Sequence, residues 1–111
     1  MLQDVIVHHI LPRPDGQHWD GLFYWSPSLS KGTVYVFRPD SPEERQIVLL
    51  KGLQPHREYW VWCEDGSIIP GLQKGEKLMQ SGLAVRLRKA YTSDLIFLQA
   101  ASLGKPDSFK P

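Results

Sequence analysis

Across 111 residues the chain has one cysteine, Cys63. A single thiol excludes an internal disulfide and any multi-cysteine metal site. It ends an apolar run, YWVWC at 59–63, which suits a buried structural thiol better than a reactive one. Charge of one sign is also missing. Thirteen basic and twelve acidic residues leave a formal net charge of +1 with no block of like charges, so bulk electrostatics draw in neither nucleic acid nor a membrane surface. No apolar run approaches the ~20 residues of a membrane span. The N-terminus lacks a charged-then-apolar signal pattern, an absence that carries little weight if Met1 was added to an excised fragment.

The usual marks of a catalyst are absent too. There is no GxGxxG, no GxxxxGK and no GxSxG, so neither a nucleotide loop nor a nucleophile elbow is present. The histidines stand at 8, 9, 18 and 56, without HxH or HExxH spacing, and support no metal site. His8 and His9 are neighbours, so in a strand they point to opposite faces and cannot share one ion. The acids Asp15, Asp20, Asp40, Glu43, Glu44, Asp65 and Asp107 fall mostly in turn sequences rather than as a converging pair. No cofactor is indicated.

What remains is a globular composition, 41% hydrophobic and 23% charged, of a length suited to one domain. Residues 1–111 read as a single β domain, ordered over about 4–100, with a tail at 101–111. Its centre is 45–65, RQIVLLKGLQPHREYWVWCED. Two runs rich in β-branched, aromatic and aliphatic residues, 47–50 and 59–63, flank a break carrying Gly52, Pro55 and His56. This predicts a hairpin, or two successive antiparallel strands, at the middle of a sheet. Further strands are predicted at 4–10, 21–25, 33–37, 83–87 and 94–99. In 33–37 Val34 and Val36 face one way, and Thr33, Tyr35 and Phe37 the other. Residues 67–74 read as irregular, and 76–81 as one short helical turn held by packing of Leu78 and Met79. Seven or eight short strands with almost no helix give an all-β fold, an antiparallel β-sandwich, with a closed barrel as the alternative.

Two aromatic groups are the candidate binding residues. His18, Trp19 and Asp20, with Tyr24 and Trp25, combine rings that could stack on a pyranose with groups that hydrogen-bond hydroxyls. The competing reading makes Trp19 a plug at the end of the sandwich. Trp60 and Trp62 share a strand face with Glu58 and Glu64, opposite Tyr59, Val61 and Cys63. Left open to water, that face would be an apolar patch of the kind that marks an interface, so another layer of this domain or a partner domain must cover it.

Three stretches together resemble the C-terminal β domain of α-galactosidase-type glycoside hydrolases of clan D, families 27 and 36. In LLKGLQPHREY (49–59) a strand leads to Lys-Gly-Leu, a Pro-containing turn and a Tyr that opens the next strand. GEKLMQSGL (75–83) is similar to the family's Gly-Ala-Glu-Leu-Met-x-x-Gly-Leu, with Glu76 for the Ala and Lys77 for the Glu. YTSDLIFL (91–98) resembles the family's last strand, where a Ser and an acid precede an aliphatic run. The likeness covers roughly 32–99; the opening HILPRPDGQHWDG departs from the pattern. It implies a seven- or eight-stranded sandwich packed on the catalytic (β/α)8 barrel of the parent chain. The catalytic aspartates then lie on that barrel, and this domain is a non-catalytic accessory with no activity of its own. Trp60 and Trp62 are the expected barrel contact. The other reading is a carbohydrate-binding module stacking sugar on Trp19 and Trp25. The compartment, bacterial cytoplasm or exterior, follows the parent.

Overall fold

Alternation between Val34 and Val36 on one side and Thr33, Tyr35 and Phe37 on the other builds β3 (Lys31–Arg38), whose inward residues are fully buried. The computed structural model describes residues 6–9, 19–39 and 44–104. Around β3 a six-stranded antiparallel sheet assembles in the order β1-β2-β3-β8-β5-β6. Its other members are β1 (Ile6–His9), β2 (Asp20–Ser26), β5 (Glu58–Cys63), β6 (Gly71–Lys74) and β8 (Thr92–Ala100). A second sheet of two strands, β4 (Arg45–Val48) and β7 (Leu83–Arg86), lies across the core. The expected all-β sandwich is what the chain forms, with eight strands among the described residues, one short helix there, α1 (Gly75–Gln80), and a 3-10 turn at Ala101–Leu103.

One core joins the layers. Phe23, Trp25, Val34, Val36, Tyr59, Val61, Ile96 and Leu98 come from the large sheet; Val48, Leu83 and Val85 come from the small one; Leu50, Leu53 and Leu78 close the side. Cys63 packs against this cluster, and its thiol points to Ile68 O at 3.9 Å. His8 stacks on Phe23 with ring centroids 6.1 Å apart, as their paired register requires.

The predicted central hairpin is not what the chain makes. β4 pairs with β7 in the small sheet, whereas β5 sits between β8 and β6 in the large one. The break at 49–57 is therefore a crossing between layers. Its two buried leucines, Leu50 and Leu53, face the core instead of closing a turn. Period-2 patterning shows that both segments are strands, but not which neighbour each will pair with. β6 was also read as irregular. None of its four residues is buried, so it carries no apolar alternation, and it exists because β5 offers an edge (Tyr59 opposite Gln73, Trp60 opposite Leu72).

The six-residue helix is too short to stand alone, and the crossing loop supplies what it lacks. Gly75 N–H donates to Arg57 O (2.8 Å) and Glu76 N–H to Pro55 O (3.1 Å), which satisfies two amides that the first turn leaves unpaired. Leu50 N–H donates to Leu78 O at 3.1 Å. Two glycines permit this closeness. A Cβ at Gly75 would collide with the Gln54 carbonyl, and Gly82 ends the helix at φ +83°, where a Cβ would meet Ile47 Cγ2 at 2.6 Å. The sequence GEKLMQSGL is thus a helix with a glycine at each close approach and Leu78 in the core between them.

Two buried charged side chains stitch the layers together. The Asp94 carboxylate accepts N–H bonds from Asp65 (2.9 Å), Ser67 (3.1 Å) and Leu95 (2.8 Å). The loop so held returns Ser67 O to Arg86 N–H of β7 at 2.8 Å. From the neighbouring strand, Arg38 Nη1 donates to Leu87 O at 2.8 Å.

Replacing Asp94 with Ala strands these amide donors in a buried setting. Urea denaturation is expected to show a loss of about 3–5 kcal/mol, with faster hydrogen exchange at Asp65 and Ser67. Gly82→Ala forces a positive φ on a residue with a Cβ and is expected to lose roughly 1–3 kcal/mol. Ser81→Ala, one position away and exposed, serves as the control and should leave the midpoint almost unchanged.

Candidate functional site

Several strands of the large sheet are apolar at consecutive positions: LFYW in β2, VYVF in β3, LIFL in β8 and YWVW in β5. Such strands have two apolar faces, and the two-stranded partner sheet covers only one of them. The register lays out the other face in rows. Val7, Tyr24, Thr33, Phe97 and Trp62 follow one another across five strands. Leu22, Tyr35 and Leu95 form the row beside them. Lys31, Gln99, Trp60 and Leu72 form the row on the other side. Val7, Tyr24, Leu72 and Leu95 are exposed, Tyr24 and Leu72 to about two-fifths (41% and 42%). Trp60 is half-buried. Trp62 is nearly covered, because its ring lies tilted on Phe97 at 5.6 Å between centroids. A groove of about 430 Å³ opens on this face, walled by Tyr24, Leu29, Trp62 and Phe97, with Lys31 and Gln99 at its edge.

The structure separates the two aromatic groups differently from their sequence grouping. Trp19 and Trp25 are core residues, 1% and 3% exposed, and offer no ring face to a sugar. Trp25 packs edge-on against Tyr59 at 5.8 Å and stacks on Phe23 at the same distance. Asp20 is half-buried at the start of β2, opposite Phe37. His18 lies outside the described residues. Tyr24 is exposed, and it lies beside Trp62, a member of the other group. Sequence reasoning missed Tyr35, Leu72, Leu95 and Phe97 as members of the face. For Tyr35, Leu95 and Phe97 the signal is the consecutive apolar run, which shows that a strand needs cover on both sides; Leu72, in β6, has no such signal.

Among the described residues no group of three or more His, Cys, Asp or Glu could hold a metal ion, and no helix is long and apolar enough to cross a membrane. The groove brings together no carboxylate pair. It can do one thing well, which is to receive apolar side chains.

No curated protein matches the chain significantly. Solved structures do. The family 36 α-galactosidase AgaB of Geobacillus stearothermophilus superposes with a TM-score of 0.66 at 25% identity, over 85% of this chain and 12% of that one. AgaA of the same organism, a doubly substituted form in complex with raffinose, gives 0.68 at 21% identity, over 88% and 13%. The galactosidase domain of the α-galactosidase–sucrose kinase AgaSK gives 0.66 at 16%, over 85% and 13%. The chain spans about an eighth of the length of these proteins. The glycosyl hydrolase family 36 C-terminal domain matches residues 20–98, from the first residue of β2 into the last strand. Of the two families in the sequence resemblance, it is family 36 that matches, and the match begins at β2, ahead of the stretch that carried the resemblance. With 79 of its 111 residues inside that match (98 − 20 + 1), the chain belongs to the glycosyl hydrolase family 36 C-terminal domain family.

Proposed function

We propose that this chain is the non-catalytic accessory domain of a larger α-galactosidase-like glycoside hydrolase. Its work is to cover and stabilise the catalytic barrel of that parent. The observation that carries this is the outer face of the six-stranded sheet, a largely aromatic and aliphatic surface, interrupted by Thr33, Lys31 and Gln99, on a domain that has a core of its own. A monomer rarely leaves so much contiguous apolar surface to water. The family match supports this occupant, since the aligned 85–88% of this chain makes up only 12–13% of the solved relatives. Trp60 and Trp62 lie on this face, as the proposed contact requires. The groove between Tyr24 and Trp62 receives a projecting apolar side chain of the barrel. The carboxylates that act on substrate lie in the parent, outside this chain. A sugar-binding module built on Trp19 and Trp25 loses both rings to the core.

The isolated 111-residue chain is expected to release no nitrophenol from nitrophenyl α-galactoside. It is expected to bind anilinonaphthalene sulfonate through the open face. Leu72→Ser with Leu95→Ser should cut the dye signal by more than half without changing the far-ultraviolet circular dichroism, because both side chains are exposed. Grafted in place of the corresponding domain of AgaB, the unsubstituted chain should support α-galactosidase activity, and the double variant should shorten its half-life at elevated temperature severalfold. Turnover by the isolated chain, or a graft indifferent to the double substitution, would defeat the proposal.

A further inference from the structure

The opposite side of the sandwich carries a second surface of different chemistry. On the outward side of the small sheet, Arg45 stands directly across from Arg86 and Ile47 across from Ala84. Two guanidinium groups facing each other on a strand pair repel. Glu44 answers Arg86 alone, at 3.1 Å. Arg88 follows β7, is exposed, and lines the same cleft. Neither Arg45 nor Arg88 has a carboxylate partner among the described residues.

Beside these cations the surface turns aliphatic. Ile47 is 54% exposed, and Ile69, at the end of the loop that Asp94 holds in place, is 86% exposed. A cleft of about 790 Å³ runs between the arginines and these isoleucines. It continues past Gly66, Arg86 and Arg88 into a second depression of about 550 Å³ bordered by Lys89, Thr92 and Asp65. The result is a continuous groove, aliphatic at one end, with Arg45, Arg86, Arg88 and Lys89 outnumbering Glu44 and Asp65 along the rest. Its length suits a polypeptide in extended conformation better than a single small acid. Its charge calls for carboxylates, which arginine can bind in pairs of parallel hydrogen bonds.

We propose that this groove binds an acidic, extended polypeptide segment. Carboxylates of the segment lie against Arg45, Arg86 and Arg88, and an aliphatic side chain covers Ile47 and Ile69. The acidic chemistry follows from the groove itself. That occupant is distinct from the one proposed for the outer face of the six-stranded sheet, because the groove and that face lie on opposite sides of one core.

Fluorescence anisotropy tests this with a labelled twelve-residue peptide of alternating Glu and Leu, its Gln-for-Glu counterpart, and a single-stranded DNA twelve-mer. At low salt the Glu peptide should bind the 111-residue chain saturably, and the Gln peptide about tenfold more weakly or worse. Arg45→Ala with Arg88→Ala, both exposed positions, should weaken the Glu peptide by about tenfold. Ile69→Ser should weaken it severalfold at a salt concentration that screens the charges. Leu72→Ser with Leu95→Ser, on the opposite face, should leave it unchanged, so that failure of the barrel-docking reading and failure of this one are told apart. Equal binding of the Gln peptide, absence of saturable binding, or a DNA twelve-mer that binds as tightly as the Glu peptide would each overturn the proposal.

Discussion

The Asp94 carboxylate is the contact on which the two layers of this domain depend. Buried at the inner face of β8, it can be there only because three backbone amides satisfy it. Two of those amides belong to the 64–68 loop, and the carbonyl of Ser67 in that loop takes the Arg86 N–H of β7. One side chain of the large sheet thereby fixes the loop that hydrogen-bonds the small sheet. Arg38 repeats the device from β3, reaching Leu87 O just beyond β7. Apolar contact alone would let a two-stranded ribbon slide over its core, because hydrophobic attraction has no direction. Hydrogen bonds to named backbone atoms set its position.

That attachment has a consequence on each side. Two strands and one short helix cover the inner face of a six-stranded sheet, and among the described residues no layer covers the outer face. β2, β3, β5 and β8 are apolar on both sides, so that face calls for cover as well. The occupant proposed for that face is the catalytic portion of a family 36 parent. On the small sheet the outer surface is different: arginines in register beside exposed isoleucines. A neighbour suited to the first face is unsuited to the second.

Much of the architecture was legible in the chain. The alternation of Val34 and Val36 with Tyr35 and Phe37, and of Leu83, Val85 and Leu87 with Ala84 and Arg86, encodes strands with a defined inner face. The helix was legible in Leu78 and Met79 between two glycines. Runs such as YWVWC announced a strand covered on both sides, and the opposed faces of Tyr59 and Trp60 followed from period 2 alone. These are local properties, set by backbone geometry and by which side chains avoid water.

Pairing and burial were decided only by the tertiary structure. β4 and β5 are adjacent in sequence and lie in different sheets, a choice made by where Leu50 and Leu53 find the core. β6 has no apolar pattern and is a strand because β5 presents an unpaired edge. Trp19 and Tyr24 stand five residues apart with similar chemistry, yet one is sealed in the core and the other lines a groove with Trp62. Arg45 and Arg86 face each other across 41 residues of chain. Local patterning sets which segments other than β6 are strands and which side chains share a face of each. Which faces meet, and which stay open for another molecule, was decided by the long-range closure of the two sheets on one core. A local pattern does not encode that closure, because it depends on which of several compatible edges and apolar faces bury the most surface together.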